Sequence, residues 1–261
     1  FFSQSAAPPH LRSTMLPSEV RQLNSRAFCG AVRAFKLERP DAIFLGYNGL
    51  EEFDTQSQTD GPQQRSIDPR WLDAFDTVYT GDPRPSAAPT TSFWRSFDVY
   101  SCQMVEAYRR GGLEYERLDS SSFMVGTTGT CCRRGKVGWK AMLLLLLARG
   151  GNLRQVYGNL EQFSAADAAW FANVAQLFDG LVRPTTSFLG CMPGEEKPYT
   201  WVQHTAGGSL ALAVNPTLQT AEAPLPASGG TVLFHDSGYQ PRMRESGVRL
   251  APGQIALVGQ G

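Results

Sequence analysis

Polar and aromatic residues collect just beyond four short apolar runs of the chain. They are Tyr47-Asn48 with Glu51 and Glu52, then Gly81-Asp82, then Thr127-Thr128, then Asn159 with Glu161. Carboxylates beside an amide, hydroxyls and aromatic rings suit carbohydrate chemistry. Glycoside hydrolysis needs two carboxyl groups flanking the scissile bond, about 5–5.5 Å apart in a retaining enzyme. Aromatic rings offer flat apolar faces to sugars, and Asn, Arg and Asp bind hydroxyls. Polar strand ends also solvate the rim of any α/β protein, so the pattern alone does not select an activity. Other chemistries lack their residues. His10, His204 and His235 are scattered and Cys131-Cys132 are adjacent, so no metal is expected. No GxxxxGK[ST], strand–GxGxxG–helix or GxSxG string occurs, and no cofactor is expected.

The elements that must position these residues follow from periodicity. Val20, Leu23, Ala27, Phe28, Ala31, Val32 and Phe35 recur at helical spacing between Pro17 and Lys36, and Pro40 stops that helix. Residues 42–47 form a continuous apolar run, as in a strand buried on both faces. Further strands are expected at 74–80, 123–125 and 154–160, with helices at 99–109 and 137–148. Ser164 and Asp167 form a capping box for a last helix, whose inner stripe is Trp170, Phe171, Val174, Leu177 and Phe178. Strand–helix repeated four times is the pattern of parallel α/β structure, and four units are half of an eight-stranded barrel. In such a barrel the site lies at the carboxyl ends of the strands. Beyond Pro184, short strands at 199–202, 210–214, 231–234 and 254–258 alternate with Gly, Pro and Asn turns. The expected fold class is α/β: the second half (strands 5–8) of a (β/α)8 TIM barrel over residues 1–181, then a C-terminal antiparallel β-sandwich domain over 182–261.

Composition bounds the partners. The 261 residues carry 24 Lys and Arg against 24 Asp and Glu, which argues against nucleic acid and anionic membrane surfaces. The longest apolar run, residues 141–148, is far short of the ~18 residues that span a bilayer. Five cysteines leave at least one thiol free and make no disulfide scaffold. The chain opens FFSQS, with neither Met nor a basic-then-apolar leader, so a longer parent is expected. The compartment stays open between secreted or periplasmic and cytoplasmic.

Several strings together resemble one family. VYTGD at 78–82, SFWRSFDVYS at 92–101, FMVGTTGTC at 123–131, LLLLARGG at 144–151 and YGNLEQFSAADAAWFA at 157–172 are similar, in order, to the second half of the melibiase superfamily. These are the α-galactosidases and α-N-acetylgalactosaminidases of glycoside hydrolase families 27 and 36. The likeness covers roughly residues 1–181, the region after it resembles the family's C-terminal β-domain, and the nearest subgroup looks bacterial. The resemblance implies a retaining enzyme whose Asp nucleophile, in a Lys-x-Asp setting, falls just before Phe1. It also implies a partner: the missing N-terminal half of the barrel, in the same polypeptide or as a second chain, without which an open half-barrel is not expected to be stable.

Two aspartates compete for the acid/base. Asp82 ends Tyr-Thr-Gly-Asp, similar to the family's aromatic-x-Gly/Ser-Asp pattern, and Asp98 ends Arg95-Ser96-Phe97-Asp98, similar to its Arg-x-x-Asp variant. Asp82 is preferred because it follows a strand rather than opening a helix. By the same resemblance Arg95 binds substrate hydroxyls, and Tyr47 and Asn48 stand where the family selects between a 2-hydroxyl and a 2-acetamido group. Asp119 matches the family's Asp ahead of the seventh strand, and Thr127 and Thr128 line the same rim. Trp94 either stacks on sugar or packs as a structural ring. The implied activity is removal of terminal α-linked galactose or N-acetylgalactosamine by double displacement. The alternatives are a non-catalytic carbohydrate-binding relative, and the same fold acting on another sugar such as a β-L-arabinopyranoside.

Overall fold

The structure, a computed structural model, describes residues 16–46, 73–79, 98, 102, 105–106, 108–109, 112–125, 136, 138–151, 153–181, 184–191 and 196–261. Helix α1 (Pro17–Glu38) starts with Pro at a position that needs no N–H donor, and the Leu16 N–H donates to Glu19 Oε2 at 2.7 Å. Its inner face is Val20, Ser25, Cys29 and Val32. Leu23, Phe28 and Phe35, expected in that stripe, stay 43–48% exposed. Phe28 stacks on Phe75 at 5.9 Å and Phe35 meets Phe44 edge-on at 5.7 Å, so these rings flank the contact instead of filling it.

Four parallel strands follow: β1 (Leu45–Gly46), β2 (Thr77–Tyr79), β3 (Leu118–Val125) and β4 (Leu153–Gly158), hydrogen-bonded in that order. Asp76 fastens their amino ends. It pairs with Lys36 Nζ at 2.7 Å and accepts the Phe44 N–H at 2.8 Å. Burial pushes its carboxyl up, but Lys36, the Phe44 N–H and Arg117 outweigh this and hold it below the usual range. Between β3 and β4 runs α2 (Trp139–Ala148), in which every residue except Lys140 is buried. Gly150 and Gly151, at φ 74° and 107°, return the chain from it; a Cβ on Gly151 would lie 2.5 Å from the Leu118 carbonyl oxygen. Helix α3 (Ala165–Asp179) buries Val174 and Phe178 and half-buries Trp170 and Phe171, while Leu177 is 38% exposed.

The rest of the chain is antiparallel. β5 (Thr185–Gly190), β6 (Tyr199–Thr205), β7 (Gly208–Val214), β9 (Thr231–His235) and β12 (Ile255–Gln260) form a five-stranded sheet in the order β5-β6-β7-β12-β9. β8 (Ala221–Pro224), β10 (Arg242–Met243) and β11 (Gly247–Leu250) form a three-stranded one, β10-β11-β8. Strand alternation gives the five-stranded sheet two apolar faces. Tyr199, Trp201, Leu210, Leu212, Val214, Ile255 and Leu257 share a core with α2 and the parallel strands. Val202, Ala211, Ala213, Ala256 and Val258 pack instead against Ala223, Leu225, Val248 and Leu250 of the small sheet and its flank.

This architecture corrects the fold expected from the sequence. Among the described residues the parallel strands form an open sheet of four, and no (β/α)8 TIM barrel is present in half or whole. Strand–helix alternation is common to closed and open parallel sheets, so it could not distinguish them. Among the described residues, the run at 42–47 pairs through Leu45 and Gly46. Nor is the C-terminal region a self-contained β-sandwich, because its larger sheet is a middle layer with the helical part on its other face.

The α3 cap carries a pH signature. Ser164 Oγ accepts the Asp167 N–H at 3.2 Å, and Asp167 Oδ2 accepts the Ser164 N–H at 3.0 Å and Lys136 Nζ at 2.6 Å. Lys136, with the Ser164 hydroxyl and N–H, holds the Asp167 carboxyl down to about 2, from an ordinary 3.8. A depressed carboxylate contributes stability that is fully present above its unfolded pKa and lost as pH falls toward the folded one. In urea titrations, wild type is therefore expected to exceed Asp167→Asn at pH ~6, with the gap closing between pH ~4 and ~2.

Candidate functional site

At the carboxyl end of the parallel sheet the described residues are few. The Asn159 N–H donates to the Val125 carbonyl at 3.0 Å, tying the exits of β3 and β4 together. Asn159 Nδ2 donates to Glu161 Oε1 at 2.6 Å on the 3-10 turn Leu160–Gln162. This amide–carboxylate pair is the described part of the rim. Tyr47, Asn48, Asp82, Trp94, Arg95, Thr127 and Thr128 all lie outside the described residues.

The two remaining candidates are described and stand apart in role. Asp98 is a helical residue 1% exposed. Its Oδ1 accepts Arg149 Nη1 at 2.7 Å and the Cys102 thiol at 3.4 Å, and its Oδ2 accepts the Tyr199 hydroxyl. Both side chains of the Asp98–Arg149 pair are 0% exposed. A general acid or base must reach the substrate oxygen directly or through one water. Asp98, with both oxygens engaged and no solvent contact, instead joins α2 to β6. Burial, reinforced by the Asp98 charge, pushes the Cys102 thiol well above its usual value, which removes it as a nucleophile.

Asp119 is the second residue of β3, opposite Tyr79, the last residue of β2, and Leu153, the first of β4. It is 1% exposed and accepts Gln155 Nε2 at 2.7 Å. Burial pushes its carboxyl up, opposed by that hydrogen bond. Asp98 and Asp119 are thus both buried, each held by hydrogen bonds of its own.

Sequence reasoning missed the partners Arg149 and Tyr199. A signal existed: Arg149 closes a run of eight apolar residues, and an Arg in such a run is seldom buried unless paired. The same seam holds Gln203, whose Nε2 donates to the Ala148 carbonyl and Thr186 Oγ1, both at 2.8 Å. Glu116 Oε1 accepts the Thr186 N–H at 2.8 Å. Among the described residues, no group of three His, Cys, Asp or Glu side chains could hold a metal ion.

No family model matches the chain, and no curated protein matches it in sequence. Solved structures give low-scoring likenesses. Trehalulose synthase MutB from Pseudomonas mesoacidophila MX-45 aligns with TM-score 0.28 at 16% identity, over 42% of this chain and 22% of that one. Isomaltulose synthase from Erwinia rhapontici NX5 aligns with TM-score 0.29 at 13% identity, over 43% and 22%. The alpha-glucosyl transfer enzyme XgtA aligns with TM-score 0.25 at 25% identity, over 35% and 16%. The chain thus spans about a fifth of the length of these sugar-converting enzymes. Overlaps of this quality carry no argument about its fold or its activity.

The Asp98–Arg149 pair generates a stability test. Asp98→Asn or Arg149→Met alone leaves one charge buried without its counterpart, and each is expected to cost about 3–5 kcal/mol in urea unfolding. The double variant Asp98→Leu with Arg149→Met is expected to recover a large part of that loss, since an apolar pair leaves no orphaned charge.

Proposed function

We propose that this chain is part of a retaining glycoside hydrolase that releases terminal α-linked galactose or N-acetylgalactosamine, with Asp82 as the acid/base. The observation that carries the residue assignment is the complete burial of Asp98 between Arg149 and Tyr199. Of the two aspartates in matching strings, that leaves Asp82, three residues past the end of β2. Ligands of parallel α/β sheets bind outside the carboxyl ends of the strands, and Asp82, Thr127, Thr128, Asn159 and Glu161 all follow such ends in the sequence. The resemblance to the melibiase superfamily supplies the sugar and the double displacement. Asp82 first protonates the departing glycosidic oxygen while the nucleophile, an Asp expected ahead of Phe1, takes the anomeric carbon. Asp82 then removes a proton from the water that hydrolyses the glycosyl-enzyme.

The test uses the full-length protein and two substrates. On an unactivated aryl α-galactoside, Asp82→Ala is expected to lower kcat/KM by about 10²–10⁴-fold. On 2,4-dinitrophenyl α-galactoside, whose leaving group needs no proton, glycosylation survives and deglycosylation stalls until azide restores turnover as α-galactosyl azide. An Asp82→Ala variant unchanged on both substrates removes Asp82 from the mechanism.

A further inference from the structure

Lys140 is the only residue of α2 that is not buried, and it opens into a cleft of about 570 Å³ between the start of that helix and the loop following β9. Lys136, Phe234, His235, Asp236 and Ser237 complete the walls that matter here. None of them has a part in the proposed catalysis. The volume falls within the range of small-molecule sites, about 300–1,000 Å³.

The state of each wall group limits what can enter. Lys136 is neutralised by Asp167 at 2.6 Å. Lys140 Nζ stands 4.9 Å from the centre of the Trp170 ring and 5.6 Å from that of Trp139, and no carboxylate among the described residues lies within ion-pair distance of it. His235 Nδ1 is 2.7 Å from the Ser237 carbonyl, an acceptor only, so Nδ1 carries a proton and donates to it; in a neutral imidazole of that tautomer Nε2 is an acceptor. Asp236 is exposed and uses Oδ1 to accept the Ile255 N–H at 2.9 Å. Phe234 packs on Trp170 at 5.1 Å and stays half-buried, offering an apolar ring face.

The cleft therefore carries both signs of charge on one small wall. An anion gains Lys140 but meets Asp236, and a cation gains Asp236 but meets Lys140. A neutral hydroxylated ring avoids both penalties, because each hydroxyl accepts from an ammonium and donates to a carboxylate or imidazole nitrogen. Its C–H face meets Phe234. We propose that this cleft is a second carbohydrate site, binding a neutral sugar ring on residues that the proposed catalysis does not use. The choice of a sugar among neutral polyols rests on the glycoside hydrolase reading above.

Three probes are titrated while Trp fluorescence, to which Trp139 and Trp170 contribute beside Lys140, is followed: methyl α-D-galactopyranoside, D-galacturonate and D-galactosamine. The neutral sugar is expected to bind with Kd of about 1 mM, and the charged analogues at least about fivefold more weakly. Lys140→Met and Asp236→Asn should each weaken the neutral sugar by about tenfold or more, with aryl galactoside hydrolysis unchanged. The proposal is overturned by variants that bind like wild type, by a charged analogue that binds as tightly as the neutral one, or by no response up to about 50 mM. The analogue comparison uses wild type alone, so it decides the matter even where a variant fails to fold. Sugar binding at the cleft without hydrolysis would remove the proposed activity and leave this site standing.

Discussion

The ion pair between Asp98 and Arg149 is the constraint on which the rest of the structure depends. Neither charge touches solvent, and an unpaired buried charge costs several kcal/mol, so the fold is acceptable only when both partners and the Tyr199 hydroxyl are in place together. The three groups come from three parts of the molecule: a helical segment ahead of β3, the end of α2, and β6. Docking of the antiparallel sheet on the α/β layer is thus a condition for burying the charges, not a later embellishment. Gln203 and Glu116 add hydrogen bonds to backbone groups along the same seam. Edge-on contact of Tyr115 with Trp201 at 5.5 Å adds an apolar lock beside them.

The five-stranded sheet sits in the middle of this arrangement, and its strands read accordingly. β7 is continuous apolar sequence from Leu210 to Val214, because alternate residues face two different cores. A sheet with one wet face would alternate with polar residues. The small residues Ala211, Ala213 and Ala256 fall on the face toward the three-stranded sheet, where the layers come close, and the large Leu212, Leu257 and Trp201 fall on the face toward α2. Size therefore sorts with layer.

Local signals in the sequence were read well where a short stretch decides the outcome. The Ser164–Asp167 box caps α3 as its spacing requires, and Pro17 and Pro40 bracket α1 closely. Strands with long apolar runs were legible too, whereas β5, β8, β10 and β11 were not, since TTSFLG, AEAP, RM and GVRL carry no run or clean alternation. What local reading could not supply was closure: four strand–helix units look alike whether a sheet curls shut or stays open. The same limit applies to Asp98. Arg-x-x-Asp reads as a catalytic string until Arg149, fifty-one residues later, is seen to claim the carboxylate. The Lys140 cleft was invisible for a similar reason, because its walls come from α2 and β9, far apart in the chain.

Helix α2 has one further consequence, an evolutionary one. A helix enclosed on all sides has no surface on which substitutions are neutral: any charge at Ala141 to Ala148 enters the core, and any change of volume must be matched by its neighbours. Lys140 alone escapes that rule. Its eight C-terminal neighbours are held by packing whatever the protein does, so their persistence in related chains would say nothing about activity. Retention of a cation at position 140, where packing exerts no such hold, would instead measure selection on the cleft itself.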